Sequence, residues 1–346
     1  MILLTSDTET KPTPAMRQAM AAAEVGDEQK GEDPTVNALL ERVADLLGKE
    51  AALFLPGGTM CNLIAVKVHT RPGDAILAEH MAHIIRAESA GPAFSSGVLI
   101  EGIISERGIF SPQALSEAIA RLTTIPSPYG PPVRLVCVEQ THNFGGGAVW
   151  QIDELRSVYQ RAKEHGLAIH MDGARLMNAV VATQVPAKDF AACADTVWID
   201  FTKGLGAPLG AVLAGSKAFI AEARRYKHIF GGALRQAGIV AAGCLYALDH
   251  HIERLKEDHD HARLLADGLK ATPGVTVHTP RPETNMVFFD VASTKLTTTE
   301  FLAALYQEGV KMGSTGNSIR AVTHLDISPE DIKLAANAVS KIIQPH

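Results

Sequence analysis

The sequence contains only four cysteines, Cys61, Cys137, Cys193 and Cys244, and they are too far apart to form a CxxC pair. That spacing argues against a disulfide framework or a thiolate zinc site and fits reduced thiols inside a cell. Long apolar runs are also missing: the longest, Ala237–Leu248, has twelve residues. A bilayer-spanning helix needs about 20, so this stretch is expected to be a buried helix. Basic charge is not in excess, with 32 Lys and Arg against 38 Asp and Glu for a net of −6. Such a balance gives no general field to attract nucleic acid or an anionic membrane. The opening residues Met1-Ile2-Leu3-Leu4 have neither a basic start nor an apolar export core, so a cytoplasmic location is expected. Repeats with periods of roughly 20–50 residues and low-complexity tracts are absent, which disfavours solenoids.

What is present is the composition of a globular chain, 46% hydrophobic and 20% charged, apolar enough to bury a core. Its 346 residues suit roughly two domains of about 150 residues each. Val36, Leu39, Leu40, Val43, Leu46 and Leu47 recur at the spacing of one buried helical face, predicting a helix over 35–47. Pro34 at its start and Gly48 after its end fit helix termini. Short apolar runs then alternate with helical patterns. The predicted strands are 52–55, 75–78, 98–101, 133–139, 167–172, 196–201 and 209–214. Seven such strands between helices predict an α/β unit whose mainly parallel sheet is covered on both faces. Residues 216–269 read as mainly helical. A β-β-α-β-α order follows, predicting a smaller C-terminal α+β domain. The boundary is placed at 250, giving 1–250 with the N-terminal segment and 251–346.

In a parallel sheet the chemistry gathers at the carboxyl ends of strands, and three segments fall there. The first is Lys203 in Asp200-Phe201-Thr202-Lys203-Gly204-Leu205-Gly206-Ala207-Pro208. Glycines beside it allow close approach of a bulky group, and a desolvated lysine amine is a Schiff-base nucleophile. Taken alone, the segment fits a surface turn equally well. The second is Asp172, which ends a strand thirty-one residues before Lys203, far enough for one crossover and a further strand. An ionised Asp can keep a pyridine nitrogen protonated, as a pyridoxal-phosphate electron sink requires; it can also cap the next helix. The third is Gly57-Gly58-Thr59-Met60, where helix N–H groups and the Thr59 hydroxyl suit a phosphate. Without the lysine of a P-loop, a nucleoside-triphosphate site is disfavoured.

A phosphate cradle, an Asp and then a Schiff-base Lys follow one another as in pyridoxal-phosphate enzymes of the aspartate-aminotransferase fold type. The sequence closely resembles the L-threonine aldolase family over nearly its whole length. The motifs run from Ser6-Asp7-Thr8 through Gly31-Glu32-Asp33-Pro34-Thr35, Gly58-Thr59-Met60 and His83. They continue with His170-Met171-Asp172-Gly173-Ala174-Arg175, Lys203-Gly204-Leu205-Gly206-Ala207-Pro208, Arg235-Gln236-Ala237-Gly238 and Arg320-x-Val322-Thr323-His324.

The resemblance implies fold type I and a lyase that cleaves L-threonine, L-allo-threonine or related β-hydroxy-α-amino acids to glycine and an aldehyde. Pyridoxal 5′-phosphate is the implied cofactor, bound covalently by Lys203, with Asp172 on its ring nitrogen, Gly58 and Thr59 on its phosphate and His83 stacked on its ring. Ser6, Arg175 and Arg320 would hold the substrate carboxylate, for which planar guanidinium groups are suited. His83, or a water it holds, is the implied base, with His142 as its rival; an imidazole near neutrality suits that proton traffic. The implied assembly is a homotetramer of paired dimers acting on a small amino acid, with no nucleic acid or membrane partner. Phenylserine or 3-hydroxyaspartate cleavage, β-elimination, and cofactor binding without turnover are the competing readings.

Two departures from the family pattern concern specificity. Lys30 stands where the family usually carries an aromatic, and Arg86-Ala87 where another is common, which raises the expectation that Lys30 or Arg86 favours a polar or acidic β-substituent. Finally, His250, His251, His259 and His261 with Glu253, Asp258 and Asp260 have spacings open to a metal. They are expected instead to form a solvated face, and no metal is assigned.

Overall fold

The computed structural model describes residues 1–343. Strand β1 (Ile2–Leu4) leads into three short helical segments and then the helix Pro34–Leu47. Asp33 caps that helix, its Oδ1 accepting the Val36 N–H at 2.9 Å. Gly48 closes it in the left-handed region at φ +60°, a conformation that costs glycine little.

The strands β2 (Ala51–Leu55), β3 (Ala75–Glu79), β4 (Leu99–Ile103), β5 (Val133–Glu139), β6 (Ala168–Gly173), β7 (Thr196–Asp200) and β8 (Ala211–Gly215) form a seven-stranded sheet. Their spatial order is β2-β8-β7-β6-β5-β3-β4. The β4-β3-β5-β6-β7 run is parallel, whereas β8 is antiparallel to both its neighbours. Every residue of β3, β7 and β8 is buried, as expected for strands sandwiched between helices. Phe54, Phe190 and Phe201 are wholly inaccessible in the main core, each contributing roughly 1.5–3 kcal/mol relative to exposure. The helix Gly238–His250 buries Ala241, Cys244 and Ala247 in the same core, in line with its reading as a buried helix.

A second sheet contains β1 with β9 (Thr276–Val277), β10 (Met286–Asp290), β11 (Val310–Thr315) and β12 (Ser318–Val322), in the order β1-β11-β12-β10-β9. It has its own core around Leu4, Val287, Phe289, Phe301, Val310 and Ile319. The helices Leu255–Lys270 and Pro329–Ile343 supply the other side, through Leu265, Leu269, Ile332 and Val339.

Two strands of this sheet were not anticipated. Strand β1 is three residues long and pairs parallel with β11, 308 positions away in sequence, a partner that no local pattern announces. Strand β11 reads Val-Lys-Met-Gly-Ser-Thr, too polar at its end to register as an apolar run. The N-terminal segment thus joins the second sheet, which brings residues 5–10 between the two layers.

Candidate active site

The carboxyl ends of β5, β6 and β7 open into a cavity of about 460 Å³. Its walls come from both sheets. Glu139 ends β5, Asp172 lies near the end of β6, and Asp200 ends β7 just before Thr202 and Lys203. The second sheet faces them with Ser314, Thr315 and Arg320, and the segment after β1 adds Ser6 and Thr8.

The Lys203 amine donates to Asp200 Oδ2 at 2.6 Å and stands 5.7 Å from the centre of the Trp198 ring. Its loop is tied down from two directions. Thr10 Oγ1 donates to the Lys203 carbonyl at 3.0 Å, and His251 Nδ1 lies 2.7 Å from the Leu205 carbonyl.

Asp172 is buried, yet its recorded hydrogen-bond partners are all neutral: Asn62 Nδ2 at 2.9 Å and the Ala174 N–H at 3.0 Å. Burial, reinforced by the nearby carboxylate of Glu139, pushes it up to about 6. Such a carboxyl calls for a cationic partner. The chemistry of pyridoxal phosphate matches it: a protonated ring nitrogen for Asp172 and an aldehyde for Lys203. The phosphate end matches too. The helix Gly58–His69 starts at Gly57, which has no side chain to cap it, so first-turn N–H groups remain free for an anion. At Gly58 a Cβ would lie 2.1 Å from the Trp198 ring; only glycine lets the turn come this close.

His83 follows β3 at the start of a short helix. Its backbone N–H donates to Glu139 Oε2 at 2.8 Å, and its Nδ1 lies 2.9 Å from Glu88 Oε1. The hydrogen bond to Glu88 raises its affinity for a proton against the opposing effect of burial. Asn62 Nδ2 reaches Glu88 Oε1 at 2.6 Å as well as Asp172. His83, Glu88 and Asp172 thus offer metal-ligating atoms within 4.8 Å of one another. His83 Nδ1, Glu88 Oε1 and Asp172 Oδ2 are already joined to one another or to Asn62 by hydrogen bonds.

The structure gathers Ser6, Gly58, Thr59, His83, Asp172, Arg175, Lys203 and Arg320 around this one cavity. His142 stands apart from its lining. It is buried, with Nε2 3.1 Å from Glu79 Oε2 and Nδ1 accepting the Gly145 N–H at 3.0 Å. Burial works against its charged form, but Glu139 and Glu79 outweigh burial and raise its pKa. Arg175 lines the cavity but is already held: Nε and Nη2 donate to Asp7 at 2.7 and 2.6 Å. Arg320 Nη1 shares Asn143 Oδ1 with Arg175 Nη1, at 3.2 and 3.4 Å. Ser6 also caps its own turn, accepting the Thr8 N–H at 3.2 Å.

Neither Lys30 nor Arg86 lines the cavity of the single chain, so no contact within it bears on the expectation that one of them shapes specificity there or at a neighbouring subunit's site. Arg86 Nε donates to the His80 carbonyl at 2.7 Å on the surface, and the Lys30 side chain is 64% exposed beside Asp27. The wall position next to His83 is taken by Ala87. Nor are residues 250–261 simply a solvated face. His251, Asp258 and His259 are buried, and Arg254 grips Asp258 at 2.6 and 3.2 Å.

Glu88, Glu139, Asn62, Asp7 and Asn143 went unread in the sequence. Asp7 had a signal in its place in the Ser6-Asp7-Thr8 run, and Glu139 and Asn143 in flanking His142 within Glu139-Gln140-Thr141-His142-Asn143. The others look like ordinary polar residues until the fold buries them.

Comparison with known proteins follows the same lines. The β-eliminating lyase family model matches residues 4–294. Low-specificity L-threonine aldolase 1 of Arabidopsis thaliana is 40% identical over 334 residues, covering 95% of this chain and 92% of that protein. The low specificity L-threonine aldolase of Escherichia coli K12 is 38% identical over 342 residues, covering 96% of each. The solved threonine aldolase of Leishmania major matches with a TM-score of 0.83 at 22% identity, over 99% of this chain and 100% of that one, a likeness of fold.

Proposed function

This chain belongs to the β-eliminating lyase family, among its L-threonine aldolases, and from that membership we propose how its cavity works. The protein is a pyridoxal-phosphate-dependent aldehyde-lyase that cleaves L-threonine, L-allo-threonine or related β-hydroxy-α-amino acids to glycine and an aldehyde. The observation that carries the reading is the meeting of Lys203, from the loop after β7, with the buried Asp172 of β6 in one cavity.

When bound, pyridoxal phosphate supplies the electron sink for the pair released as the Cα–Cβ bond breaks. Lys203 anchors the cofactor, with Asp200 orienting its amine. Asp172 keeps the ring nitrogen protonated, and Gly58 and Thr59 bind the phosphate. Arg320 and Ser6 hold the substrate carboxylate. Arg175, committed to Asp7 on two nitrogens, braces that end through Asn143 and contributes what donor capacity remains. A fixed carboxylate sets which bond at Cα stands perpendicular to the conjugated plane, so orientation selects Cα–Cβ cleavage. His83 takes the β-hydroxyl proton, directly or through a held water. His142, turned to Glu79 outside the cavity lining, acts as support for the 139–145 loop.

Incubating the purified holoenzyme with both threonine diastereomers, phenylserine and 3-hydroxyaspartate tests the reading. Glycine and the matching aldehyde are expected. Pyruvate and ammonia would assign β-elimination instead, and a cofactor absorbance without any product would make the protein a binder.

The same reading includes a homotetramer of paired dimers in the cytoplasm. Among the described residues no helix is long and apolar enough to cross a membrane. Light scattering on the eluting peak checks the assembly, and cell fractionation the location. The division into units 1–250 and 251–346 is likewise proposed, supported by the separate cores on the two sheets, with β1 of the first unit crossing to the second sheet.

A further inference from the structure

The proposed roles leave two buried acids of the cavity, Glu88 and Glu139, without a task, and only Glu88 touches the His83 ring. Glu88 lies five residues beyond His83, its side chain wholly inaccessible. Its Oε1 meets both His83 Nδ1 and Asn62 Nδ2, at 2.9 and 2.6 Å. The direction of these bonds follows from a residue on another strand. Trp198 Nε1 lies 2.8 Å from Asn62 Oδ1, and an indole N–H can only donate. The Asn62 oxygen therefore faces Trp198, and its NH₂ group faces Glu88 and Asp172. His170 Nε2, 3.0 Å from the same oxygen, is held as a second donor; burial lowers this histidine to about 3, so it stays neutral. With both amide hydrogens directed at carboxylates, Glu88 Oε1 is an acceptor. The His83 nitrogen beside it must then carry the proton.

We propose that Trp198, Asn62 and Glu88 form a one-directional hydrogen-bond chain that fixes His83 as its Nδ1–H tautomer, leaving the Nε2 lone pair as the proton acceptor, with Glu88 a positioning residue for the cleavage. This rests on the aldolase reading above. In the step itself the substrate O–H bond breaks and an Nε2–H bond forms. The O–H electron pair becomes the second carbon–oxygen bond of the aldehyde, and the Cα–Cβ pair remains on Cα. Glu88 also supplies a negative charge to offset the imidazolium that results. The other charged groups near His83 are Glu139 from β5 and Asp172 from β6. Glu139 meets the His83 backbone N–H rather than its ring, and Asp172 would face the cofactor's ring nitrogen. Glu88 is therefore the carboxylate in direct contact that can follow the state of the imidazole.

Nitrogen-15 spectra of histidine-labelled holoenzyme, with His83 assigned by its loss in H83N, read the tautomer without substrate. The Nδ1–H form is expected in the parent protein. In W198F the His170 bond still holds the Asn62 oxygen and the Glu88 carboxylate still accepts, so the Nδ1–H form is expected to persist. In E88Q, which preserves shape and an acceptor oxygen, the His83 pKa is expected to fall. The acid limb of the kcat profile then moves to lower pH, and kcat drops at least about tenfold with KM within about twofold.

An Nε2–H tautomer in the parent protein overturns the proposal. So does an E88Q enzyme that keeps its cofactor absorbance and shows an unmoved acid limb. If the parent protein releases no aldehyde from any β-hydroxy amino acid, the aldolase reading falls, while the tautomer spectrum still decides the hydrogen-bond chain.

Discussion

Arg175 on the loop after β6 and Asp7 on the segment after β1 form a buried two-point ion pair, with contacts of 2.7 and 2.6 Å. The pair joins the first sheet to the N-terminal segment of the second. Asn285 Nδ2 donates to the same carboxylate at 3.1 Å. Burial opposes the charge on Asp7, but Arg175 outweighs it and lowers the pKa from 3.8 to about 2.

Replacing Asp7 with Asn is expected to leave the Arg175 charge buried and unmatched, costing roughly 3–5 kcal/mol of stability at neutral pH. The depressed carboxyl also fixes a pH window. Its contribution, of order 2 kcal/mol, is complete above the unfolded value of 3.8 and lost as pH falls toward 2. Urea unfolding at fixed protein concentration should therefore show parent and D7N proteins converging in acid. A gap that stays constant down to pH 2 would contradict the ionic account.

Asp172 has the opposite sign. Without cofactor, the native carboxyl keeps its proton up to about 6, whereas the unfolded chain releases it near 3.8. Between those values the native state binds more protons, so stability should fall as pH rises. Asp258, also raised to about 6 by burial, adds a slope of the same sign. The D172N apoprotein is expected to keep the Asp258 slope and lose its own share. The gain in Tm on adding pyridoxal phosphate should be larger at pH 7 than at pH 5 in the parent protein, because an ionised Asp172 then meets a cationic ring. Equal gains at both pH values would remove the charge pairing.

Removing the amine gives the most direct test of the covalent anchor. In K203A, cleavage of any β-hydroxy amino acid is expected to fall by at least about a thousandfold, and the visible absorbance of the lysine–cofactor linkage should disappear. The fold should survive, since the Lys203 side chain is part-exposed and its recorded hydrogen bond is to Asp200 alone. Near-normal turnover in K203A would sink the assignment.

The reach of sequence reading follows from what each residue depends on. The parallel strands were legible because burial on both faces makes them continuously apolar. Lys203, Asp172 and Gly58 were legible because each sits at a strand end or turn whose chemistry is local, and the family resemblance supplied His83, Arg320 and Ser6. Strand β1 and Asp7 were not readable in the same way, since their partners β11 and Arg175 lie far along the chain. Glu88 and Asn62 were hidden for a related reason. Nothing in one sequence separates a buried acid or amide from a solvated one.

The Gly58 turn carries the last prediction. The ideal Cβ of an alanine there would lie 2.1 Å from one Trp198 ring carbon and 2.4 Å from the next. Trp198 is 2% exposed on β7 and bonded to Asn62, so its ring cannot swing away without breaking that contact. The helix start must retreat instead, taking the first-turn N–H groups with it. Overpacking of this kind costs about 1–3 kcal/mol, and displacing the turn should weaken phosphate binding at the same time. G58A is therefore expected to lose affinity for pyridoxal phosphate by more than about tenfold and to release it on dialysis, while its Lys203 remains reactive toward free pyridoxal, which lacks the phosphate. Equal weakening toward pyridoxal and pyridoxal phosphate would place the damage at Trp198 and the Lys203 side of the cavity, and the phosphate role of the turn would fall.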